Sequence, residues 1–547
     1  MPTLDWIGKD KVINHHLDVP YRVLERQYSC DENGQHTEDN GSENMIIHGD
    51  NLSALKSLLP QYEGRIKCIY IDPPYNTGNE NWVYNDNVND PRIKKWLGEV
   101  VGKEGEDLSR HDKWLCMMYP RLRLLQKLLS KDGVIFISID VNEKFNLKLM
   151  CDEIFGSNMF IADIAVINNL KGRSDDKYIA TAHESLLIYQ NGDFITNGVA
   201  VPEEYETEYK LTDENGRYRL QGLRKRGAGA KREDRPNMYY PFYYSEQSNL
   251  LSLEPINENS VEILPHLSDG SDGRWRWGKD TARERISELI AQKVKGRDEY
   301  DVFQKDYLPD DGSKRIKPKS FWSGTEFSAE SGTLETKAIL GKGIFDTPKP
   351  IGIIEYCMEQ AMGSDSIILD SFAGSGTTAH AVLKMNKADG GNRKFILIEM
   401  MDYADNITAE RVKRVMSGYG EGKAKVEGTG GNFSYYELGD TIMNGNELNE
   451  AVGVDRIREY VYFTETKSRL APFKDDEPYY LGTHITTAYY FYYDRENVTT
   501  LSRAFLHTIK TKADSYVIYA DLCTLSDAEL EKYHITFKKI PRDITKL

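Results

Sequence analysis

Ile367-Ile368-Leu369-Asp370-Ser371-Phe372-Ala373-Gly374-Ser375-Gly376-Thr377-Thr378 reads as a buried strand, a glycine turn and the first turn of a helix. Glycines let the backbone approach a ligand closely, and the free N–H groups at a helix start favour a ligand's negative end. Thr377 stands where a triphosphate-binding loop would carry lysine, and the glycines do not match G-x-G-x-x-G. Further on, Glu399 closes the next apolar run, 23 positions past Gly376. That is near the spacing at which a carboxylate meets ribose hydroxyls in doubly wound sheets. A purely structural glycine turn is the competing reading, and the placement of Glu399 weighs against it.

Working outward, residues 349–362 and 377–385 have helical periodicity, and 366–369 and 395–399 are strand-length apolar runs. A second block with this alternation begins at Met45: strand 45–48, helix 52–59, strand 66–71, amphipathic helix 113–129, strand 134–139. The expectation is an α/β protein with a mostly parallel, Rossmann-like sheet. Between the blocks, residues 191–333 lose the alternation and are rich in Tyr, Arg, Gly and Pro, which reads as an inserted domain. The organisation expected is an N-terminal arm (1–44), a first half (45–190), the insertion (191–333), a second half (334–425) and a C-terminal α/β domain (426–547). Residues 85–112 are too long for an ordinary connection and read as a flap over the site.

At 547 residues the chain holds about three or four domains of roughly 150 residues each. With 39% hydrophobic and 29% charged residues it is globular, and its net charge of −16 argues against a protein that coats nucleic acid nonspecifically. The longest apolar runs are far too short to span a bilayer, and no signal peptide or C-x-x-C pair is evident among six cysteines. A cytoplasmic protein with no membrane segment and no zinc ribbon is expected.

The other block carries its own chemistry at Ile69-Tyr70-Ile71-Asp72-Pro73-Pro74-Tyr75, at the carboxyl end of an expected strand. Asp-Pro-Pro-Tyr holds a carboxylate, a carbonyl and an aromatic ring on a stiff backbone. Those parts suit a planar exocyclic amine, whose delocalised lone pair becomes nucleophilic only when acceptors engage both hydrogens and pull the nitrogen toward tetrahedral geometry. Asp72 and the Pro73 carbonyl supply the acceptors, and Tyr75 a stacking face for a base taken out of a duplex. A Pro-Pro turn ending a strand is the plainer alternative.

Together the two motifs resemble those of the S-adenosylmethionine-dependent DNA amino-methyltransferases, in the permuted order of the beta class, where D-P-P-Y precedes F-x-G-x-G. Segments 47–52, 345–350 and 407–415 resemble their flanks, and 72–78, 109–124, 183–189, 235–240 and 274–279 resemble the modification (Mod) subunit of type III restriction systems. The resemblance covers roughly residues 45–420. It implies methyl transfer to the N6 amine of a flipped adenine in duplex DNA, with residues 191–333 as target-recognition domain. It implies Asp72, Pro73, Pro74 and Tyr75 as catalytic, no metal, and a cofactor site at Asp50, Asp370, Phe372, Gly374, Gly376, Thr377, Glu399 and Lys349. The partners implied are duplex DNA, a second copy of the chain in a homodimer, and a restriction (helicase and nuclease) subunit. Rival readings are a cytosine-N4 DNA methyltransferase, a protein glutamine methyltransferase and a non-catalytic DNA-specificity subunit. The large insertion disfavours the glutamine enzyme, and the intact motifs disfavour the specificity subunit.

Three further features have plainer readings beside the functional ones. His183 and Glu184 do not form H-E-x-x-H, so a satisfied strand-start histidine is expected there. The pattern of the zinc deaminases is absent as well. Residues 224–235 hold six basic and two acidic side chains, so Arg224, Lys225, Arg226, Lys231 and Arg232 are candidate phosphate contacts against a solvated loop. Trp275 and Trp277, alternating with Arg274 and Arg276, fit DNA contact and core packing equally.

Overall fold

The structure is a computed structural model and describes residues 3–77, 108–172, 177–294 and 299–542. Residues 85–107 of the expected flap lie outside the described residues. The chain divides into two compact units, Met1–Asn197 with Lys319–Leu547, and Gly198–Pro318.

The larger unit is built on a sheet that has eleven strands among the described residues. In chain order they are β1 Arg22–Asp31, β2 Gly34–His36, β3 Met45–His48, β4 Ile66–Ile71, β5 Leu129–Ile139, β6 Phe160–Ile167, β7 His183–Gln190, β8 Phe321–Trp322, β9 Ile367–Asp370, β10 Lys394–Glu399 and β11 Phe433–Thr441. Across the sheet they run β8-β6-β7-β5-β4-β9-β10-β3-β11-β1-β2. Every neighbouring pair from β5 to β11 is parallel, whereas β7 is antiparallel to both β5 and β6. The helices that matter here are α1 Asn51–Tyr62, α2 Leu108–Leu128, α3 Lys144–Phe155, α4 Ile351–Ala361, α5 Thr377–Asp389 and α6 Glu410–Ser417.

Parallel strands are covered on both faces, so their sequences are continuously apolar. Ile69, Ile71, Ile135, Ile137 and Leu369 pack with Leu55 and Leu58 of α1 and Leu122 and Leu125 of α2. Their alternates Cys68, Tyr70, Val134, Phe136 and Ile368 pack with Ile354 and Met358 of α4 and Val382 of α5. Each such aliphatic side chain contributes about 1.5–3 kcal/mol when fully buried.

The position of the site follows from the strand order. Ile368 lies opposite Cys68 and Leu369 opposite Ile69, so β4 and β9 are direct neighbours although Asp72 and Asp370 are 298 positions apart. From β4 the chain proceeds through α2 to β5 on one side, and from β9 through α5 to β10 on the other. The carboxyl ends of β4 and β9 therefore flank the point where the winding reverses, the crevice in which open α/β sheets bind ligands.

Three expected boundaries are corrected. Residues 22–31 are not part of an arm: β1 pairs along β11, with Tyr28 opposite Tyr435, and so extends the central sheet. The chain after 426 returns to that sheet as β11 before it forms a separate four-stranded sheet from Tyr480–His484, Thr487–Phe491, Ser515–Ala520 and Ile535–Lys539. The compact insertion is Gly198–Pro318, narrower than 191–333, because Phe321–Trp322 pairs with β6 in the larger unit.

The smaller unit holds a four-stranded antiparallel sheet around Tyr300–Leu308 and a three-stranded one around Phe242–Ser245. Its core includes Leu223, Phe242, Trp275 and Val302. No described helix is long and apolar enough to cross a membrane.

Candidate active site

Beyond Ile71 the chain leaves β4 through Asp72-Pro73-Pro74-Tyr75, where two prolines remove the donors that would extend the ladder. The Pro74 carbonyl instead accepts a 2.7 Å hydrogen bond from Trp114 Nε1 on α2, and Trp114 is fully buried. The Pro73 carbonyl accepts no hydrogen bond from the described residues. On the far side of Tyr75, buried Asn76 takes a left-handed conformation (φ 58°) and donates to the Glu143 carboxylate, which His111 Nδ1 also meets at 2.6 Å. Tyr75 is thus held between the Pro74 carbonyl and the Asn76 side chain, each fastened by a hydrogen bond.

The neighbouring strand β9 ends at Asp370. Its Oδ1 accepts the Phe372 N–H at 3.0 Å and its Oδ2 the Thr378 hydroxyl at 2.6 Å, which curls the glycine loop onto the start of α5. Gly374 and Gly376 have φ of 51° and 82°, and a Cβ on Gly376 would come within 3.0 Å of the Thr408 carbonyl oxygen. Only glycine suits either position. Glu399, at the end of β10, accepts the Gly374 N–H at 2.7 Å and the Met401 N–H at 3.0 Å.

Between the two strand ends lies a cavity of about 590 Å³, walled by Asp72 to Tyr75, Phe345, Lys349, Asp370, Phe372, Gly374, Thr377 and Tyr403, among others. That volume is in the usual range for small-molecule sites. Two candidate groups separated by nearly three hundred residues therefore meet on one wall.

Lys349 stands at the centre of the charges. Its Nζ donates to both Glu184 oxygens at 2.7 and 2.8 Å and to the Tyr75 hydroxyl at 2.5 Å, and it lies 3.4 Å from Asp72 Oδ1. The Tyr75 hydroxyl in turn donates to Glu184 Oε2 at 2.9 Å. Glu184 reaches this place because β7 runs antiparallel to β5, so its first residues emerge at the edge where the parallel strands end. The expected satisfied histidine is not the feature of that strand start: His183 is exposed, and the glutamate after it is buried. Sequence reading passed over Glu184, and the available signal was a lone acid opening a continuously apolar strand.

Burial raises the carboxyl of Asp72 to about 6; Lys349 opposes the rise and Glu184 adds to it. Asp370 is pushed up to about 7 by burial, against the hydrogen bonds from Thr378 and Phe372, and burial likewise brings Glu399 to about 7. For Lys349, burial favours the neutral amine, but the carboxylates of Asp72 and Glu184 outweigh it and hold the ammonium above its ordinary value. Carboxylates thus outnumber the cation, which suits a positively charged ligand.

The other expected cofactor residues stand off the cavity wall. Asp50 caps α1, its Oδ2 accepting from the Ser53 N–H and hydroxyl at 2.9 and 2.8 Å, with Arg121 3.4 Å from Oδ1. Glu399 and Gly376 lie just behind the wall and shape the loop that forms it. Asp50 follows β3, whose His48 lies opposite Glu399, so both acids belong to one end of the sheet.

The basic candidates belong to the smaller unit. Arg224 pairs with Asp301 at 3.3 Å and donates to the His266 carbonyl, so its guanidinium is engaged within its own domain. Arg232 pairs with Asp272 at 3.0 Å and covers the Tyr239 ring. Lys225 is half-buried, while Arg226 and Lys231 are exposed. Trp275 is fully buried and donates to the Tyr240 carbonyl, so core packing is its role.

The family described as DNA methylase matches residues 66–410 of the chain. The EcoPI Mod subunit of a type III restriction-modification enzyme from Escherichia phage P1 is 35% identical over 414 residues, 73% of this chain and 63% of that protein. The type II methyltransferase M.KpnI of Klebsiella pneumoniae is 37% identical over 374 residues, 68% of this chain and 84% of that protein. Among solved structures, the PvuII cytosine-N4-specific DNA methyltransferase aligns with 68% of this chain and 86% of its own at 12% identity, with a TM-score of 0.32, too low to add to the fold argument.

Proposed function

Because this chain belongs to the DNA methylase family, we propose that it transfers a methyl group from S-adenosylmethionine to the N6 amine of an adenine taken out of duplex DNA, as the modification subunit of a type III restriction system. The observation that carries this reading is a pair of open acceptors. The Asp72 side chain lines the cavity and is 26% exposed, its Oδ1 making only a 3.4 Å ion pair with Lys349, and the Pro73 carbonyl is uncommitted among the described residues. One amine with two hydrogens satisfies both. Asp72 is the stronger acceptor when ionised, and the nearby Lys349 favours that form. The Tyr75 ring, fixed by its hydroxyl, offers a stacking face to the extruded base.

The cavity fits the cofactor on its own terms. Gly374 lets the backbone come close, the start of α5 opens onto the cavity through Thr377, and the surplus of carboxylate suits a cation. When bound, S-adenosylmethionine supplies an electrophilic methyl group on a cationic sulfur. Phe345, Phe372 and Tyr403 give the cavity apolar walls that exclude water, and Glu399 and Asp370 hold the glycine loop in shape.

On this reading the unit Gly198–Pro318 reads the target sequence, with exposed Arg226 and Lys231 toward phosphates. A homodimer acting in the cytoplasm, with a restriction subunit as further partner, completes the assembly that the reading carries. The test is to incubate unmodified genomic DNA with the protein and S-adenosylmethionine and to map modified bases by single-molecule sequencing. N6-methyladenine within one short motif is the expected result. N4-methylcytosine would replace adenine by cytosine as the substrate, and unmodified DNA would overturn the reading.

A further inference from the structure

The ammonium of Lys349 is surrounded by four acceptor oxygens from three side chains at unequal distances. Both oxygens of Glu184 lie at 2.7 and 2.8 Å, the Tyr75 hydroxyl at 2.5 Å, and Asp72 Oδ1 at 3.4 Å. A lysine free to choose would close on Asp72, which faces the same cavity and has a buried oxygen lacking any hydrogen bond. Lys349 is shared instead: its hydrogen bonds go to Glu184 and Tyr75, and Asp72 Oδ1 keeps a longer ion pair with it. The side chain of Glu184 is 7% exposed and that of Lys349 16%, so their pairing is sheltered from solvent screening.

Resting on the methyl-transfer reading above, we propose that Glu184 is a positioning residue for the reaction: it takes the short hydrogen bonds of Lys349, so that the ammonium keeps only a longer ion pair with Asp72 Oδ1 and the exposed part of the Asp72 carboxylate is left to the substrate amine, while neutralising the lysine's charge. Both parts are needed. An ammonium seated on Asp72 would fill the acceptor that the amine requires. An uncompensated ammonium would also repel the positive charge that the amine nitrogen gains as it is alkylated, and the cationic methyl donor with it. With Glu184 present, Asp72, Glu184 and Lys349 together carry one net negative charge beside the cavity. The Tyr75 hydroxyl, bound to both members of the pair, makes the stacking ring part of the same assembly.

The groups that face Asp72 are Lys349 from the segment before α4, Glu184 from β7, Tyr70 from β4, Tyr75, and Asp370 from β9. The two tyrosines are held neutral by burial and by the neighbouring carboxylates. Variation of Glu184 and Lys349 therefore gives opposite signs. In Glu184→Gln the lysine turns to Asp72, so turnover falls and the acid limb of the pH–rate profile moves to lower pH. In Lys349→Met the acid limb moves to higher pH, because Asp72 then faces Glu184 without a cation. Each displacement should be roughly one pH unit. In Glu184→Gln/Lys349→Met the acceptor is open again, so at pH 8 the double variant should turn over faster than Glu184→Gln alone.

The experiment measures transfer of labelled methyl from S-adenosylmethionine to unmodified genomic DNA across pH for wild type and the three variants. Calorimetry of S-adenosylmethionine and of its neutral product, S-adenosylhomocysteine, accompanies it. In Glu184→Gln the preference for the cation over the neutral thioether should shrink by about three- to tenfold. Opposed limb shifts, recovery in the double variant and the reduced preference support the role. A double variant no faster than Glu184→Gln, or limbs that do not move, overturns it while wild-type methylation keeps the parent reading. If Glu184→Gln does not fold, an unmoved limb in Lys349→Met overturns the role by itself. Wild type that methylates no DNA overturns the parent reading and this role with it.

Discussion

The carbonyl oxygen of Pro74 accepts a 2.7 Å hydrogen bond from the indole nitrogen of Trp114, which ties the segment leaving β4 to α2 one residue before Tyr75. Trp114→Phe keeps an aromatic ring in a fully buried place but removes the donor. The expected cost is about 1–2 kcal/mol in urea unfolding, the scale of a lost hydrogen bond with its acceptor left unpaired. Because the loosened segment carries Asp72 and Tyr75, turnover should fall more than the affinity for S-adenosylmethionine. Equal losses in both would show that Trp114 supports the fold without setting the geometry of the site.

Asp72→Asn keeps the shape of the side chain and removes the charge. Methyl transfer should drop by about a hundredfold or more, the range seen when one preorganised transition-state contact is lost, while S-adenosylmethionine affinity changes little. In wild type the rate should fall with decreasing pH around the value of about 6 that burial gives Asp72, since the protonated carboxyl is a weaker acceptor and carries no charge to offset the one growing on the amine. A pH–rate profile flat between pH 5 and 8 would remove Asp72 as the titrating acceptor.

Stability should follow pH in the opposite sense to an ordinary salt-bridged protein. Burial raises Asp72 to about 6 and Asp370 and Glu399 to about 7. The folded chain therefore holds these protons more tightly than the unfolded chain, and the stability they contribute is lost as pH rises through 6 to 7. Ligand-free protein should melt at a higher temperature at pH 6 than at pH 8. Asp370→Asn, which can still accept from Phe372 and meet Thr378, should reduce that difference, as scanning calorimetry would show.

How much of this was legible in the sequence depended on how local the cause was. β4 and β9 were readable because both faces are covered, so Ile66–Ile71 and Ile367–Asp370 are apolar at nearly every position. The glycine loop was readable because Gly374 and Gly376 need positive φ that other residues resist. β1 was not readable. Its burial is mixed and its pairing partner lies some four hundred positions away, as Tyr28 opposite Tyr435 shows, so neither periodicity nor turn chemistry marked it. Glu184 was hidden for a related reason. Its importance comes from β7 running antiparallel beside β5, which delivers a strand's first residues to the ligand-binding edge, and sheet direction is not a property of the eight residues themselves. Asp50 and Glu399 carried the right residue type, but the fold assigns their oxygens to a helix start and to a loop's N–H groups.

That assignment alters what removal of Glu399 should do. Glu399→Ala leaves the N–H groups of Gly374 and Met401 without their acceptors, so the loop that lines the cavity loses its brace. Affinity for S-adenosylmethionine should weaken by about 1–3 kcal/mol, the scale of charge-assisted hydrogen bonds, with a fall in melting temperature alongside it. Calorimetry showing unchanged affinity would leave Glu399 a brace with no part in binding.

The basic run of the smaller unit divides by structure into two kinds of residue, and the division can be measured. Arg226 and Lys231 are exposed, whereas Arg224 pairs with Asp301 and donates to a backbone carbonyl inside its own domain. Replacing Arg226 and Lys231 by serine should weaken DNA binding at all sequences and reduce the slope of log affinity against log salt by about two, with melting unchanged, because each phosphate contact releases about one counterion. Arg224→Ser should instead lower the melting temperature, since it removes the ion-pair partner of the largely buried carboxyl of Asp301 and leaves it only the more distant charge of Arg226. The salt slope should then stay close to that of wild type. The reverse pattern, in which Arg224→Ser flattens the salt dependence and the double replacement does not, would place Arg224 at the DNA and return Arg226 and Lys231 to a solvated loop.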